Sequence, residues 1–227
     1  MDAKVHELQI ISLPERISQI LRDGILNGDW KPGQQIVESR VAREFGVSQN
    51  AVREALLDLE SQGFVLKIPH KGTYVSEFSW DEIEQAYRVR MELESLAVKW
   101  AREKGRPSLG ERRQLESILQ RMDKAAREKE YLVYLKAGLE FHRGIWQLSG
   151  NKTLTRALDV VTTALYSHGL IQFLHQNDLD LVEGVQEHRE WLEYLSDAIP
   201  EAAFSYTRDL IWATWIKVDK KLAERGL

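Results

Sequence analysis

The sequence predicts a mainly α-helical chain in two parts, a small N-terminal unit of three helices with a β-hairpin and a larger C-terminal bundle of about six antiparallel helices. Three observations carry this. Turn formers (Gly24, Gly28, Pro32, Gly33, Gly46, Gly63, Pro69, Gly72) crowd the first third, while apolar residues at helical spacing fill the rest. Two β-rich runs, Phe64 to Ile68 and Thr73 to Val75, lie just before that change of texture. With 227 residues, 43% of them apolar, the chain can bury one good-sized core or two small ones. The domains are therefore read as 1–75 and 81–227, joined by a linker over 76–80, with no internal repeat or low-complexity segment.

Within the first part, Pro14 opens a helix over about 14–27, in which Ile17, Ile20, Leu21 and Ile25 repeat at helical spacing until Gly28. A second, short helix runs from Glu38 to Phe45 and stops at Gly46, the residue type that closes a helix in a left-handed conformation. Only three residues later Ser48 stands as an N-cap before Val52, Leu56, Leu57 and Leu59, in a third helix ending at Gly63. The two β-rich runs are joined by Pro69-His70-Lys71-Gly72, a hairpin by composition.

In the second part, Tyr87, Met91, Glu94 and Val98 mark one stripe of a helix over about 81–104. Further helices fit 108–128, 130–149, 151–176, 178–197 and 200–225. The breaks between them are Gly105-Arg106-Pro107, the charged run from Arg127 to Glu130, Gly150-Asn151, Asn177-Asp178 and Pro200. Six helices of such length form a bundle.

Composition removes several functions. With no cysteine there is no disulfide framework, iron–sulfur cluster, thiolate zinc site or cysteine nucleophile, and any metal must be held by histidine and carboxylate. Charges are scattered through the first 20 residues and no long apolar run follows, so the expectation is a cytoplasmic protein with no membrane partner. The net charge of −4 argues against indiscriminate coating of nucleic acid but leaves sequence-specific DNA binding open.

Three helices with a tight turn between the second and third, followed by a β-ribbon, are the parts of a winged helix-turn-helix, which reads the major groove with the first turn of its third helix. Ser48, Gln49, Asn50 and Arg53 lie there. Gln and Asn pair with adenine, and Arg pairs with guanine or a phosphate. Arg40 and Arg43 on the second helix are expected at the DNA backbone, and Lys67, His70, Lys71 and Gly72 on the wing. Ser48 also reads as a plain helix cap. The run from Glu38 to Val65, with its Phe45-Gly46-Val47-Ser48 and Val52-Arg53-Glu54-Ala55-Leu56 segments and the wing glycine Gly72, resembles the DNA-binding domain of GntR-family transcriptional regulators. The family's usual Arg after the Ser is Gln49 here, and Asn50-Ala51 stand for the common Thr-Pro, which implies a different operator.

The rest, from Arg90-Met91-Glu92-Leu93-Glu94 through Phe141-His142 and Gly150-Asn151 to Glu187-His188, is similar to the ligand-binding domain of the FadR-like branch of that family, with six helices as in its VanR-like subgroup. The resemblance implies a homodimer and a small, carboxylate effector that changes DNA affinity. It also implies a metal ion held by an Asp and three histidines. His142 and His188 match two of these positions, but the Asp position is Gly138 and the third histidine falls near Asp209-Leu210, so two of the four usual ligands are absent. Asp209 completes the site only if the register shifts by one residue; His168 and His175, seven apart, share one helix face. The alternative is a metal-free pocket in which Arg90, His142 and His188 bind an anionic effector. Arg90 equally reads as a salt bridge to Glu94, and Trp146 and Trp191 as pocket walls or plain core.

The function expected is therefore a ligand-responsive repressor acting as a homodimer on a double-stranded operator with an inverted repeat. Two alternatives stand beside it: a helical-bundle metalloenzyme using His142 and His188, and a constitutive DNA-binding dimer without an effector. Against the enzyme, the sequence has no Glu-x-x-His pair, nucleophile elbow or phosphate loop.

Overall fold

A computed structural model describes residues 11–77, 79–174 and 180–223, and the chain divides into two compact units, Met1–Ser76 and Glu77–Leu227. The first unit begins with α1 (Leu13–Leu26), started by a reciprocal cap between Ser12 and Glu15. Ile17, Leu21 and Ile25 are buried on its inner face, and the buried Ser18 hydroxyl donates to Asp58 at 2.5 Å, tying α1 to the third helix. Helix α2 (Glu38–Phe45) buries Val41 and Ala42 and ends at Gly46, whose φ of 66° is the left-handed conformation expected of it. Helix α3 (Gln49–Ser61) buries Ala51, Val52, Ala55, Leu56 and Leu59 against α1 and α2.

The expected two-stranded ribbon has a third strand. β2 (Val65–Ile68) and β3 (Gly72–Val75) pair antiparallel as a hairpin, and β1 (Gln35–Ile36) pairs with the free edge of β3, Gln35 opposite Tyr74 and Ile36 opposite Thr73. Two residues are too few for an alternating pattern, which is why β1 has no signature in the sequence. Its Ile36 is nonetheless buried.

The second unit is α4 (Trp80–Glu103), α5 (Leu109–Glu128), α6 (Tyr131–Leu148), α7 (Lys152–Leu174), α8 (Leu181–Asp197) and α9 (Pro200–Ala223). Ser79 with Glu82 and Ser108 with Glu111 make capping boxes at α4 and α5; Asn151 and Asp180 accept from the first free N–H groups of α7 and α8. Helix α4 is central, packing against α6, α7 and α9, while α5 covers α6 and α8. Ile83, Tyr87 and Met91 of α4 meet Leu165, Ile211 and Trp215, and further along Ala97 meets Trp146, Leu154 and Leu158. Between these two packed layers the interior becomes polar. Among the described residues, no helix is long and apolar enough to cross a membrane.

Candidate functional site

The polar start of α3 is built by its cap. Ser48 accepts from the Ala51 N–H at 3.2 Å, so its hydroxyl serves the helix, and the inward face of Ala51 and Val52 leaves Gln49, Asn50 and Arg53 exposed together. Arg53 is not a free cation. Its Nε and Nη2 both donate to Glu38 Oε2 at the start of α2, at 3.2 and 2.8 Å, which raises the Arg53 pKa through hydrogen bond and charge. Arg40 is likewise paired, with Glu44 at 2.8 Å, and Arg43 is exposed. On the ribbon, Lys67, His70 and Lys71 are exposed. Gly72 serves the turn: its φ is 117°, and a Cβ there would stand 2.7 Å from Nε2 of Gln35, which donates to the Lys71 carbonyl at 2.9 Å.

The second unit encloses a cavity of about 340 Å3. Met122, Leu135, Trp191, Leu210 and Ile211 give it an apolar wall, and Tyr87, Tyr134 and Tyr166 line it with aromatic rings. Arg90, His142 and His188, singled out from the sequence, come together at its polar end, and Glu94 organises them. The Glu94 carboxylate is fully buried and accepts from Arg90 Nε at 3.0 Å, His142 Nδ1 at 2.7 Å and Trp146 Nε1 at 2.6 Å. Burial would push its pKa up, but the neighbouring His142 and Arg90 and these hydrogen bonds outweigh burial and hold it at about 2. For Arg90, burial works against the charge and is outweighed chiefly by Glu94, so its pKa is raised. Each histidine is kept neutral: burial and Arg90 lower His142 despite Glu94, and burial with the neighbouring His142 lowers His188 to about 3. Burial raises the pKa of all three tyrosines, which stay protonated.

The hydrogens of the two imidazoles follow from their partners. Carboxylate and carbonyl oxygens only accept, so His142 Nδ1 carries the hydrogen shared with Glu94, and His188 Nδ1 carries one donated to the Gly184 carbonyl at 2.6 Å. In a neutral ring Nε2 is then a lone pair. The two Nε2 atoms face each other at 3.3 Å, and Arg90 Nη2 lies against the His142 ring, 3.3 Å from Nδ1 and 3.1 Å from Nε2.

The residues present do not fit the metal that the resemblance implies. Gly138 lines the cavity with no donor, and the Tyr166 hydroxyl lies 3.6 Å from where its Cβ would be, in the space an aspartate would need. Asp209 has to be corrected as a possible ligand: it is exposed, because α9 turns Leu210, Ile211 and Thr214 to the cavity and the helical step carries Asp209 outward. The Arg90 guanidinium, 3.1 Å from His142 Nε2, sets a fixed positive charge beside the nitrogen that a metal ion would need. Among the described residues, no group of three His, Asp or Glu side chains is placed to hold a metal ion. The His168 side chain and His175 lie outside the described residues.

Sequence reasoning missed the tyrosines and gave Glu94 only the role of partner to Arg90. The i, i+4 spacing of Arg90 and Glu94 was the available signal for that pair. Tyr134 stands on α6 eight residues before His142, with Gly138 midway, and that i, i+4, i+8 spacing was an available signal, whereas nothing in the sequence links Tyr166 on α7 to the histidines.

Comparison with known proteins adds a family context. Residues 13–75 match the family described as bacterial regulatory proteins, gntR family, and residues 85–211 match the FCD domain. YdhC of Bacillus subtilis (strain 168), named an HTH-type transcriptional regulator, is 27% identical over 184 residues, 81% of this chain and 80% of that one. A protein of Paenarthrobacter nicotinovorans named "Probable D-xylose utilization operon transcriptional repressor" is 25% identical over 203 residues, 89% of this chain and 87% of its own. The solved structure of Escherichia coli McbR/YncC shares the fold, with a TM-score of 0.76 at 21% identity, over 94% of this chain and 100% of that one.

Proposed function

Because the chain belongs to the GntR family of bacterial regulatory proteins and carries that family's FCD domain, and so is a transcriptional regulator and not an enzyme, we propose that it is a cytoplasmic, ligand-responsive repressor. The observation that carries the ligand response is the cavity of about 340 Å3 with a buried polar end, a volume within the usual range for small-molecule sites of about 300–1,000 Å3. A bundle that served only to dimerise would have no use for a buried Arg90–Glu94–His142 cluster beside empty space, since filling that volume with apolar side chains is the more stable solution. Gln49, Asn50 and Arg53 are proposed to read base edges, with Arg40, Arg43, Lys67, His70 and Lys71 at the DNA backbone. An inverted repeat read by a homodimer belongs to the same proposal, because two half-sites need two copies of α3. Repression is supported by the name of the Paenarthrobacter relative, and is said here of this chain only as a proposal.

The ligand acts by its differential affinity for two states of the protein that differ in operator affinity. Selection of binding sites from a random duplex library, followed by titration of the selected duplex, tests the reading. We expect a palindromic site whose affinity Asn50→Ala and Arg53→Ala each reduce, and a cavity mutation such as His142→Ala that leaves operator affinity intact while removing any ligand response. A library that returns no enriched sequence removes the DNA-binding role.

A further inference from the structure

The polar end of the cavity presents an acceptor that discriminates between ligands. Among the described residues, no side chain or backbone group donates to Nε2 of His188: its own Nδ1–H is spent on the Gly184 carbonyl, and Nε2 of His142, 3.3 Å away, is another lone pair. Moving the hydrogen to Nε2, the other tautomer, would set an unprotonated Nδ1 against the Gly184 carbonyl at 2.6 Å, two acceptors in contact. The fixed charges at this end cancel, Arg90 against Glu94. The three tyrosine phenols face the same space, and its lining also includes Thr214 and the charged Asp180, Glu183, Glu187, Lys217 and Lys220, of which Lys217 is paired with Glu183 and Glu187.

Resting on the ligand-responsive reading above, we propose that the cavity takes, without a metal ion, an uncharged hydroxylated ligand with an apolar body, whose hydroxyl donates to Nε2 of His188. Three candidate chemistries separate on the geometry. A carboxylate accepts and does not donate, so it cannot satisfy that lone pair, and it adds a third buried charge to a balanced pair. An ammonium donates but brings a second cation beside the Arg90 guanidinium. A hydroxyl donates to His188 and accepts in return from a tyrosine, and adds no charge. Met122, Leu135, Leu210 and Ile211 then cover the apolar body.

The test is isothermal titration calorimetry of the full chain, without DNA and in the presence of EDTA, with three probes of one shape: benzyl alcohol, benzoate and benzylamine. We expect benzyl alcohol to bind at least roughly tenfold more tightly than either charged probe. His188→Leu should lose that preference, and zinc or nickel added in place of EDTA should leave it unchanged. Tighter binding of benzoate or benzylamine, a requirement for metal, or saturation by none of the three overturns the proposal. The wild-type series decides the question even if His188→Leu fails to fold. Measuring operator affinity separately distinguishes the two readings: an alcohol that fills the cavity without changing DNA affinity contradicts the regulatory coupling alone, whereas a carboxylate that releases DNA through the cavity contradicts this inference alone.

Discussion

At the scale of single residues, the arrangement turns on two ion pairs with opposite consequences. Arg53 and Glu38 are joined on the surface, where a pair contributes little to stability, so the guanidinium can exchange its carboxylate for DNA at small cost. Arg53→Ala should therefore weaken operator binding roughly tenfold to a hundredfold, with sequence preference relaxed at one position if it meets a base, or a shallower salt dependence if it meets a phosphate. Glu38→Gln should do the reverse, strengthening binding and steepening the salt dependence, and fluorescence anisotropy at several salt concentrations reads both. Arg90 and Glu94 are joined in the interior, with side chains 5% and 0% exposed, where removing one partner strands the other. Glu94→Ala should cost about 3–5 kcal/mol in urea denaturation, most of it for leaving Arg90 buried without a counter-charge. That difference was partly legible. The i, i+4 spacing announced the Arg90–Glu94 pair, whereas Glu38 and Arg53 are 15 residues apart on different helices and only the helix-turn-helix angle brings them together.

Among secondary-structure elements, the helices were readable because period, caps and stops agree, and those of the second unit begin and end close to where the sequence puts them wherever the boundary is described; the expected ends at 176 and 225 and the expected start at 178 lie outside the described residues. What had no local signature was β1, held by its partner strand and not by its own pattern, and the fit of two tyrosine hydroxyls over glycines: Tyr166 against Gly138, and Tyr134 against Gly184, where a Cβ would collide with the hydroxyl. A glycine at a helix position normally weakens the helix by about 1 kcal/mol, and here it gives room to a neighbour's ring. The ribbon turn depends on its own glycine. Gly72→Ala puts a Cβ at a φ of 117° and 2.7 Å from Gln35, displacing the side chain that braces Lys71. We expect a loss of about 1–3 kcal/mol in thermal or urea unfolding. Operator affinity should fall with it if Lys67 and Lys71 contact DNA, while Ser79→Ala, a cap change of about 1 kcal/mol in the other unit, should leave operator affinity alone.

For the whole molecule, burial of ionisable groups is unequal between the two units, and acid should separate them. His142 and His188 have folded pKa values below the ordinary 6.5, His188 at about 3, so the unfolded chain binds protons that the folded one refuses. Stability from these groups is complete above about pH 6.5 and is lost as the pH falls toward the folded values. Glu94, held at about 2 against the ordinary 4.5, adds a second loss between those two values, in the same direction, because its protonation removes the partner of Arg90. Within the first unit the described histidine, His70, is exposed on the ribbon turn and has no buried charge to lose. Hydrogen exchange read by mass spectrometry at pH 7.5 and pH 5, corrected for the intrinsic change in exchange rate, should therefore show protection falling first in α4, α6 and α8, with α1 and α3 unchanged. His188→Gln should reduce the loss between pH 6.5 and 5 and spare the later one. Equal weakening of both units, or earlier opening of α1 and α3, would mean that the cavity histidines do not set the acid limit. An uncharged ligand that donates to the His188 lone pair binds only its neutral form, so the same measurement with benzyl alcohol bound should move the onset of the loss to lower pH.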